Sequence, residues 1–360
     1  MKTDHILVIR FSAMGDVAMT VPVVDSLARQ YPDVRITVLS QKFARPFFEH
    51  MPHNVGFMEA DLKGEYHGVK GLNALYRRLT AKNFTAIADL HSVLRSKYLR
   101  MRFNIGRFNV AHIDKHRDLR RALTTDGEGK RMEQLPTSFE NYAEVFARLG
   151  YPVKVEFRSI FGDGKGDLSL LPPALNSKAE GEQWIGIAPF AAHRGKIYPA
   201  DLMEQTLKLI AERRPKARLL LFGGGKEEMT TMKEWQQGNK RLEIVADIMK
   251  GIDKELVLMS HLDVMLSMDS ANMHLASLTG TPVVSVWGAT HPYAGFMGWG
   301  QTMEHAVQLD LPCRPCSIYG NRECHKGDYP CLRGITPEMI VEKLEMKNEE
   351  TKFGGRGESQ

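Results

Sequence analysis

The chain has 360 residues, of which 43% are hydrophobic and 25% are charged. This composition is that of an ordinary globular protein, and the length suits two domains better than one, which argues against a disordered or fibrous chain. The formal net charge of +5 is a mild excess, which favours anionic ligands or surfaces without indicating nucleic acid.

The N-terminus does not have the pattern of a secretory signal. Arg10 and Asp16 interrupt it early, and no small-residue cleavage site follows an apolar run. Elsewhere no stretch approaches the ~20 apolar residues that a membrane-spanning helix needs. We therefore expect a cytoplasmic protein whose contact with a membrane, if it makes one, is peripheral on the cytoplasmic face of the inner membrane.

Short β-branched runs alternate with longer helical patterns in the first half of the chain. Strands are predicted at residues 6–9, 35–39 and 85–90, and a helix is predicted near Val21–Gln30. This alternation is typical of βαβ units on a parallel sheet.

A second series of predicted strands follows a segment rich in Gly, Pro and Ser at residues 162–177. These strands lie at residues 184–188, 218–222, 264–267 and 282–287. We predict an α/β fold with a first domain at residues 1–165, a second at 175–340, and the end of a helix with a polar tail at 341–360. Ligands of such sheets bind at the carboxyl ends of the strands, so the loops there are the candidates for function.

A Gly-containing turn follows the first predicted strand. Its residues are Arg10, Phe11, Ser12, Ala13, Met14, Gly15 and Asp16. Backbone amides in such a turn can face an anion or a sugar. Asp16 has two interpretations that the sequence leaves open, a capping acid at the start of a helix or a general base.

The loop after the strand at 184–188 concentrates basic side chains, His193, Arg194 and Lys196. That composition suits a diphosphate, because Lys196 would offset the negative charge that grows on a departing nucleoside diphosphate. The alternative is a solvated loop cation. A Gly-rich turn at 222–225 precedes Glu227 and Glu228, either of which could accept hydrogen bonds from ribose hydroxyls.

The segment 268–276 carries the most informative pattern. Ser270 is predicted to cap a helix, and His274 lies four residues later on the same face. Asp269, Ser270, Ala271 and His274 would then converge at a helix start that suits phosphates and sugar hydroxyls. A satisfied, partly buried histidine is the alternative for His274.

These runs together resemble glycosyltransferase family 9, the ADP-heptose:lipopolysaccharide heptosyltransferases. That family begins with a strand, a Gly-Asp turn and a Pro-ended helix, matched here by residues 6–22. Its Lys–x–aromatic–Pro segment is matched by residues 196–199, and its Asp–Ser/Thr–small–x–x–His–x–Ala segment by residues 269–276. The matches occur in the family's order and cover residues 5–335.

The resemblance implies a GT-B fold, with two Rossmann-like lobes facing across a central crevice. It also implies inverting, metal-independent transfer of heptose from ADP-heptose, or a related nucleotide sugar, to the lipid A-linked inner core of lipopolysaccharide. No cofactor is required in that reaction. The first domain would bind the acceptor and the second the nucleotide sugar.

Carried over by position, Asp16 becomes the general base and Lys196 the diphosphate partner. The implied acceptor-binding residues are Ser12, Met14, Gly15, His91, Arg95 and Ser96. The implied donor-binding residues are Phe190, Lys196, Glu227, Glu228, Asp269, Ser270, Ala271 and His274. Two positions depart from the pattern: Gly225 stands where some members carry a ribose-binding carboxylate, and Tyr198 replaces the commoner Trp.

Residues 95–121 hold nine Lys or Arg against two Asp. Such a stretch is usually a solvated helix face. Beside an acceptor site it would also steer the phosphates and acidic sugars of a lipid A core.

All four cysteines lie in one segment, at Cys313, Cys316, Cys324 and Cys331. Disulfides are not expected in a reducing cytoplasm. Either the four thiols form a structural zinc site, or they are reduced packing thiols, since the later spacings miss the paired CxxC pattern.

Two other functions remain open at this point. One is a GT-B transferase with a different nucleotide sugar. The other is a nucleic-acid or partner-binding module built on the basic stretch and a metal-bound cysteine cluster, which leaves the three loop motifs unexplained. A dinucleotide oxidoreductase is disfavoured because no G-x-G-x-x-G fingerprint follows a predicted strand.

Overall fold

The computed structural model describes the backbone of residues 4–353 and the side chains of residues 4–345. The chain forms two compact units. The first comprises the residues up to His116 together with Pro136–Ile160, and the second comprises Arg117–Leu135 together with the residues from Phe161 onward.

A five-stranded parallel sheet forms the centre of the first unit. Its strands are β1 (His5–Ile9), β2 (Arg35–Ser40), β3 (Val55–Glu59), β4 (Ala86–Asp89) and β5 (Asn109–His112). They are ordered β3-β2-β1-β4-β5, so β1 and β4 are neighbours. Strand β1 is buried along its whole length because helices cover both faces of such a sheet.

Six α-helices lie between residues 10 and 150. They are α1 (Met14–Ala18), α2 (Val21–Gln30), α3 (Gly68–Thr80), α4 (Leu94–Ile105), α5 (Arg117–Thr124) and α6 (Ser138–Arg148). Helix α5 belongs to the second unit.

A six-stranded parallel sheet forms the centre of the second unit. Its strands are β6 (Gln183–Ala188), β7 (Ala217–Leu221), β8 (Leu242–Ile244), β9 (Val264–Met268), β10 (Val283–Val286) and β11 (Ala306–Val307). The order is β11-β10-β9-β6-β7-β8, so the loops after β6, β9 and β10 start from three adjacent strands.

Seven further α-helices lie in the described part of the second unit. They are α7 (Ala200–Arg213), α8 (Lys226–Gly238), α9 (Val245–Ile248), α10 (Ile252–Met259), α11 (Ala271–Leu278), α12 (Pro330–Arg333) and α13 (Pro337–Phe353). Of the predicted polar tail, residues 354–360 lie outside the described part of the chain. Among the described residues, no helix combines the length and the apolar character needed to cross a bilayer.

The predicted α/β fold is confirmed, and each of the seven predicted strands is present within two residues of its predicted bounds. The segment Arg117–Leu135 belongs to the second unit, although in sequence it lies between two parts of the first. Its Leu123 and Leu135 pack against Ala294 in a small apolar cluster of the second unit, and Leu135 N donates to Tyr293 O at 2.9 Å.

Helix α6 begins with a reciprocal cap. Thr137 Oγ1 accepts from Glu140 N at 3.2 Å, and Glu140 Oε2 accepts from Thr137 N at 2.7 Å. These bonds satisfy amide groups that the first turn of a helix leaves without an intrahelical partner.

Replacing Thr137 by Ala should loosen the start of α6, because the hydroxyl acceptor is lost at a cost of about 1 kcal/mol. Amide hydrogen exchange of peptides from α6 should then accelerate by about fivefold. The matched control is Thr230→Ala, which removes an exposed hydroxyl from the interior of α8 and should leave exchange there unchanged or slower. Equal exchange of α6 in Thr137→Ala and in the unmodified chain would rule out a stabilising cap.

Candidate functional site

Two loops meet at the carboxyl edge of the first sheet. One follows β1 and the other follows β4, and they lie at the same edge because these strands are parallel neighbours. Arg10 Nη1 donates to Leu90 O at 2.7 Å, and Phe11 N donates to His91 Nδ1 at 3.4 Å. The two loops are therefore joined by hydrogen bonds between their first residues.

Asp16 lies in the first turn of α1, and its side chain is 32% exposed. Its Oδ2 accepts from Ala13 N at 3.2 Å and lies 2.9 Å from Arg10 Nη2. Tyr142 Oη donates to the main-chain oxygen of Asp16 at 3.3 Å. Asp16 thus receives an amide at the helix start, as the capping interpretation requires, while a third of its side chain stays open to solvent.

His91 is buried beside Asp16's loop and is electrically neutral at ordinary pH. Burial, reinforced by the positive charges of Arg10 and Lys115, lowers the pKa of His91 to about 3. Its Nδ1 accepts the Phe11 amide, which places the proton of the neutral ring on Nε2.

The other predicted acceptor residues differ in what they contact. Ser96 Oγ accepts from Val93 N at 3.1 Å, so its hydroxyl stabilises the start of α4. Arg95 is exposed on the same helix. Ser12, Met14 and Gly15 are half-buried beside Asp16.

An ion pair stands at the carboxyl edge of the second sheet. Lys196 Nζ lies 3.2 Å from Asp269 Oδ2, and Asp269 is almost fully buried. Thr290 Oγ1 donates to the same carboxylate oxygen at 2.8 Å. The three side chains come from the loops after β6, β9 and β10, so the sheet order brings together residues that are far apart in sequence.

Helix α11 starts beside this ion pair. Ser270 occupies the N-cap position, but its hydroxyl makes no capping bond and instead lies 3.2 Å from Ser267 Oγ. The predicted position of Ser270 at the start of the helix is confirmed, but the predicted hydrogen bond from the cap side chain is not made. Ala271 is the first residue of the helix, and His274 is buried one turn later.

The Gly-rich turn after β7 uses one of its two candidate carboxylates internally. Glu228 Oε2 accepts from Gly224 N at 2.9 Å and from Gly225 N at 3.1 Å, while Glu227 is exposed in the first turn of α8. Phe190 stacks on Trp235 with ring centroids 5.9 Å apart and an interplanar angle of 3°. The turn thus offers an exposed carboxylate, and the half-buried ring of Phe190 lies beside it.

The four cysteines are free thiols, and Cys316 and Cys331 are buried in the core of the second unit. Burial raises the pKa of Cys331 to about 11 and raises that of Cys316, which keeps both thiols protonated. No group of three or more His, Cys, Asp or Glu side chains is arranged for a metal ion within the described residues. The candidate zinc site is therefore not supported by the arrangement of these side chains, and Cys316 and Cys331 are packing thiols of the core.

Two residues of this region were missed as candidates, Thr290 and Arg314. The buried guanidinium of Arg314 donates to the carbonyl oxygens of Trp287 at 3.2 Å and Thr290 at 2.9 Å, and to those of Gly288 and Leu309. It therefore holds the loop that presents Thr290 to Asp269. The position of Thr290, three residues after the predicted strand at 282–287, was a signal for its place at this edge.

We expect His91 to stay neutral well below the pH at which an ordinary histidine is protonated. In an NMR titration of ¹³C-labelled histidines, its ring signals, identified by their loss in His91→Gln, should show no protonation step above pH 5. A midpoint near 6.5 would contradict the buried, neutral ring.

The same pKa has a consequence for stability. In the unfolded chain His91 is protonated below about pH 6.5, whereas in the folded chain it is protonated only below about pH 3. The contribution of His91 is therefore complete above pH 6.5 and is lost as the pH falls towards 3. At pH 5 the loss amounts to about 2 kcal/mol, and His91→Gln should remove that part of the pH dependence of urea unfolding.

Comparison with known proteins agrees with this arrangement. Residues 72–326, well over half of the chain, match the family model of glycosyltransferase family 9 (heptosyltransferase). Lipopolysaccharide heptosyltransferase 3 of Escherichia coli is 23% identical over 295 residues, which are 77% of this chain and 81% of that protein.

Solved structures show the same fold. The structure of Escherichia coli ADP-heptose LPS heptosyltransferase II is 17% identical, with a TM-score of 0.69, over 97% of this chain and 99% of that one. A family 9 glycosyltransferase from Veillonella parvula is 17% identical, with a TM-score of 0.70, over 97% and 98% of the two chains. The expected GT-B fold is confirmed. The chain belongs to glycosyltransferase family 9, the heptosyltransferases, and is a glycosyltransferase.

Proposed function

We propose that this enzyme transfers heptose from ADP-heptose to the lipid A-linked inner core of lipopolysaccharide, with inversion at the anomeric carbon and without a metal ion. The observation that carries the proposal is the state of Asp16, a carboxylate that is held in place by Arg10 and Ala13 and is still one-third exposed. A general base needs both properties, a fixed position and access to the hydroxyl whose proton it removes.

In the proposed reaction the Asp16 carboxylate takes the proton of the acceptor hydroxyl. The acceptor oxygen forms a bond to the anomeric carbon of heptose while the bond from that carbon to the diphosphate oxygen breaks, and ADP leaves with the bonding electron pair. A single displacement of this kind inverts the configuration. Lys196 stabilises the negative charge that develops on the departing diphosphate.

The donor is assigned to the residues at the edge of the second sheet. Asp269 lies beneath Lys196 and orients its ammonium group, in addition to the predicted contact with a sugar hydroxyl. The start of α11, with Ser270, Ala271 and His274, is assigned to the phosphates. Of the two acids after the Gly-rich turn, Glu227 suits the ribose better, because Glu228 is already bound to the amides of the turn. The flat face of Phe190 is offered to the nucleotide.

The acceptor is assigned to the loops around Asp16. The turn containing Ser12, Met14 and Gly15 borders the carboxylate, and the neutral ring of His91 offers Nε2–H as a hydrogen-bond donor. Arg95 is the exposed cation of this group and suits an acidic sugar or phosphate of the core. The substrates in this proposal are suggested by the names of relatives, among them a second Lipopolysaccharide heptosyltransferase 3, from Escherichia coli strain K12, and by a solved Escherichia coli heptosyltransferase that holds ADP.

Replacing Asp16 by Asn should abolish transfer while leaving ADP binding intact, because the amide cannot accept the proton and the ADP site lies on the other unit. We expect kcat to fall by about 10²–10⁴-fold. The products of ADP-heptose and a defined lipid A-linked acceptor are measured by mass spectrometry, and ADP, UDP and GDP binding by calorimetry.

The matched control is Asp33→Asn, which neutralises an exposed aspartate of the same unit and should transfer heptose at the unmodified rate. Transfer by Asp16→Asn within threefold of this control would refute the general base. Tighter binding of UDP or GDP than of ADP would instead favour another nucleotide sugar.

A second part of the proposal concerns where the enzyme works. Helix α4 begins directly after the acceptor-side loop, and its buried face carries Leu99 and Phe103. On its exposed face, Leu94, Met101 and Ile105 are 86%, 47% and 72% exposed. These three residues share one stripe because their spacings of seven and four residues are close to whole helical turns.

We assign this stripe to the surface of an anionic membrane. Arg95 and Lys97 are exposed beside it, and α4 contains no acidic residue. Exposed apolar residues flanked by cations are typical of helices that lie in the interface of anionic lipids. The arginines of this region that face inward are less suited, since Arg100 lies 3.4 Å from Asp89 and Arg102 stacks on Tyr76. Peripheral binding at the cytoplasmic face of the inner membrane would bring a lipid-linked acceptor to the loop before α4.

Replacing Leu94 and Ile105 together by Ser should lower the fraction of protein that sediments with anionic phospholipid vesicles, because two inserted side chains are lost. We expect the partition coefficient to fall by about tenfold or more. The control is Leu170→Ser/Met303→Ser, which changes two exposed apolar residues of the other unit. Equal losses in both variants, or no loss in either, would contradict the assignment.

A further inference from the structure

The cysteine-rich segment approaches the side chain of Lys196 at one residue, Gly320. Gly320 is buried, and its φ of +73° is in the left-handed region. A methyl group added there would stand 2.7 Å from Lys196 Cδ and closer still to Lys196 Cγ. The aliphatic part of Lys196 therefore lies directly on the bare backbone of Gly320.

Backbone bonds tie the same segment to the loop that carries Lys196. Gly195 N donates to Gly320 O at 3.3 Å, and Gly320 N donates to Ser317 Oγ at 3.0 Å. Ala289 N donates to Gly195 O at 2.8 Å, and Ala289 O accepts from Cys316 N at 3.1 Å. Three loops are thus joined around the residue before Lys196.

The other end of the Lys196 side chain is also held. Its ammonium group lies 3.2 Å from Asp269 Oδ2, and only 17% of the side chain is exposed. A lysine whose stem and head are both confined loses little rotamer freedom when a ligand binds to it. Such preorganisation has its largest effect on binding free energy where a flexible side chain such as lysine binds a phosphate.

We infer that Gly320 is a positioning residue for Lys196: the absence of a side chain at position 320 leaves the space in which the lysine stem lies, so that its ammonium group reaches Asp269 and the diphosphate of the donor. The inference rests on the proposed function for the contact with diphosphate. The packing of the aliphatic part of Lys196 against Gly320 depends only on contacts within the second unit. It gives the cysteine-rich segment a part in donor binding that needs no metal.

The test compares Gly320→Ala with Gly327→Ala. Gly327 lies in the same segment with a φ of +94°, and nothing stands within 4 Å of a methyl group there. Both variants carry a similar backbone penalty, but only the first displaces Lys196. Gly320→Ala should raise the Kd for ADP by about tenfold or more, the loss expected for a charge-assisted hydrogen bond, and Gly327→Ala should leave it unchanged.

A double variant separates displacement of the lysine from other effects. Lys196→Ala removes Cγ and Cδ, so adding Gly320→Ala to it should cost no further ADP affinity. Where Lys196→Ala weakens ADP binding, unchanged ADP binding in Gly320→Ala, or a further loss in the double variant, would overturn the inference. Should Gly320→Ala alone fail to fold, the double variant decides, because without the clash it should fold as Lys196→Ala does, and its failure to fold would also overturn the inference.

A second readout does not depend on the proposed function. The rate at which an acylating reagent modifies Lys196, followed by mass spectrometry, should rise severalfold in Gly320→Ala and not in Gly327→Ala, because the displaced ammonium leaves Asp269. An unchanged rate in Gly320→Ala would contradict the claim that Gly320 leaves space for the side chain of Lys196. If Lys196→Ala bound ADP like the unmodified enzyme, the donor role of Lys196 would fail, while the labelling rates would still decide the role of Gly320.

Discussion

The buried carboxylate of Asp269 constrains the loops at the carboxyl edge of the second sheet. It is almost fully buried, and a buried ionised carboxylate is costly unless a cation and hydrogen-bond donors compensate it. Lys196 and Thr290 supply these partners from the loops after β6 and β10. Because Asp269 itself follows β9, the need to compensate one charge holds the loops of three adjacent strands in a single arrangement. The cation that results is fixed in position before any ligand arrives.

Asp16 differs from Asp269 in its exposure to solvent. It too has a basic partner, Arg10, and an amide donor, Ala13, yet its side chain remains one-third exposed. Arg10 is the buried member of this pair, and it is anchored by Leu90 O in the neighbouring loop. Burial therefore fixes the cation and leaves the carboxylate accessible, whereas around Asp269 burial fixes the carboxylate and leaves the cation nearer the surface. The first arrangement suits a proton acceptor and the second an anion-binding lysine.

Much of this arrangement could be predicted from sequence, and the omissions have physical causes. Buried parallel strands such as β1 and β9 are continuous apolar runs, and their carboxyl ends identify the loops that carry Asp16 and Asp269. Strand β3 was missed because Gly56 interrupts it and only one of its five residues is buried. Strand β5 has one buried residue among four, and β8 and β11 are too short to show a pattern. Side-chain pairings depend on three-dimensional neighbours, so sequence could not show that Glu228 binds the Gly-rich turn or that Ser270 faces Ser267 instead of its own helix.

The cysteine-rich segment shows how one pattern admits two physical explanations. Four clustered cysteines suggest metal binding, but small apolar side chains are also what a segment needs when it must pack closely against a functional loop. Cys316 and Cys331 lie in the core of the second unit. The guanidinium of Arg314 donates hydrogen bonds to carbonyl oxygens of the loop that bears Thr290. Between these anchors the chain passes Lys196 at a residue without a side chain. Packing and backbone hydrogen bonding thus suffice to explain the segment, since each anchored residue either fills the core or supports a member of the Lys196–Asp269–Thr290 group.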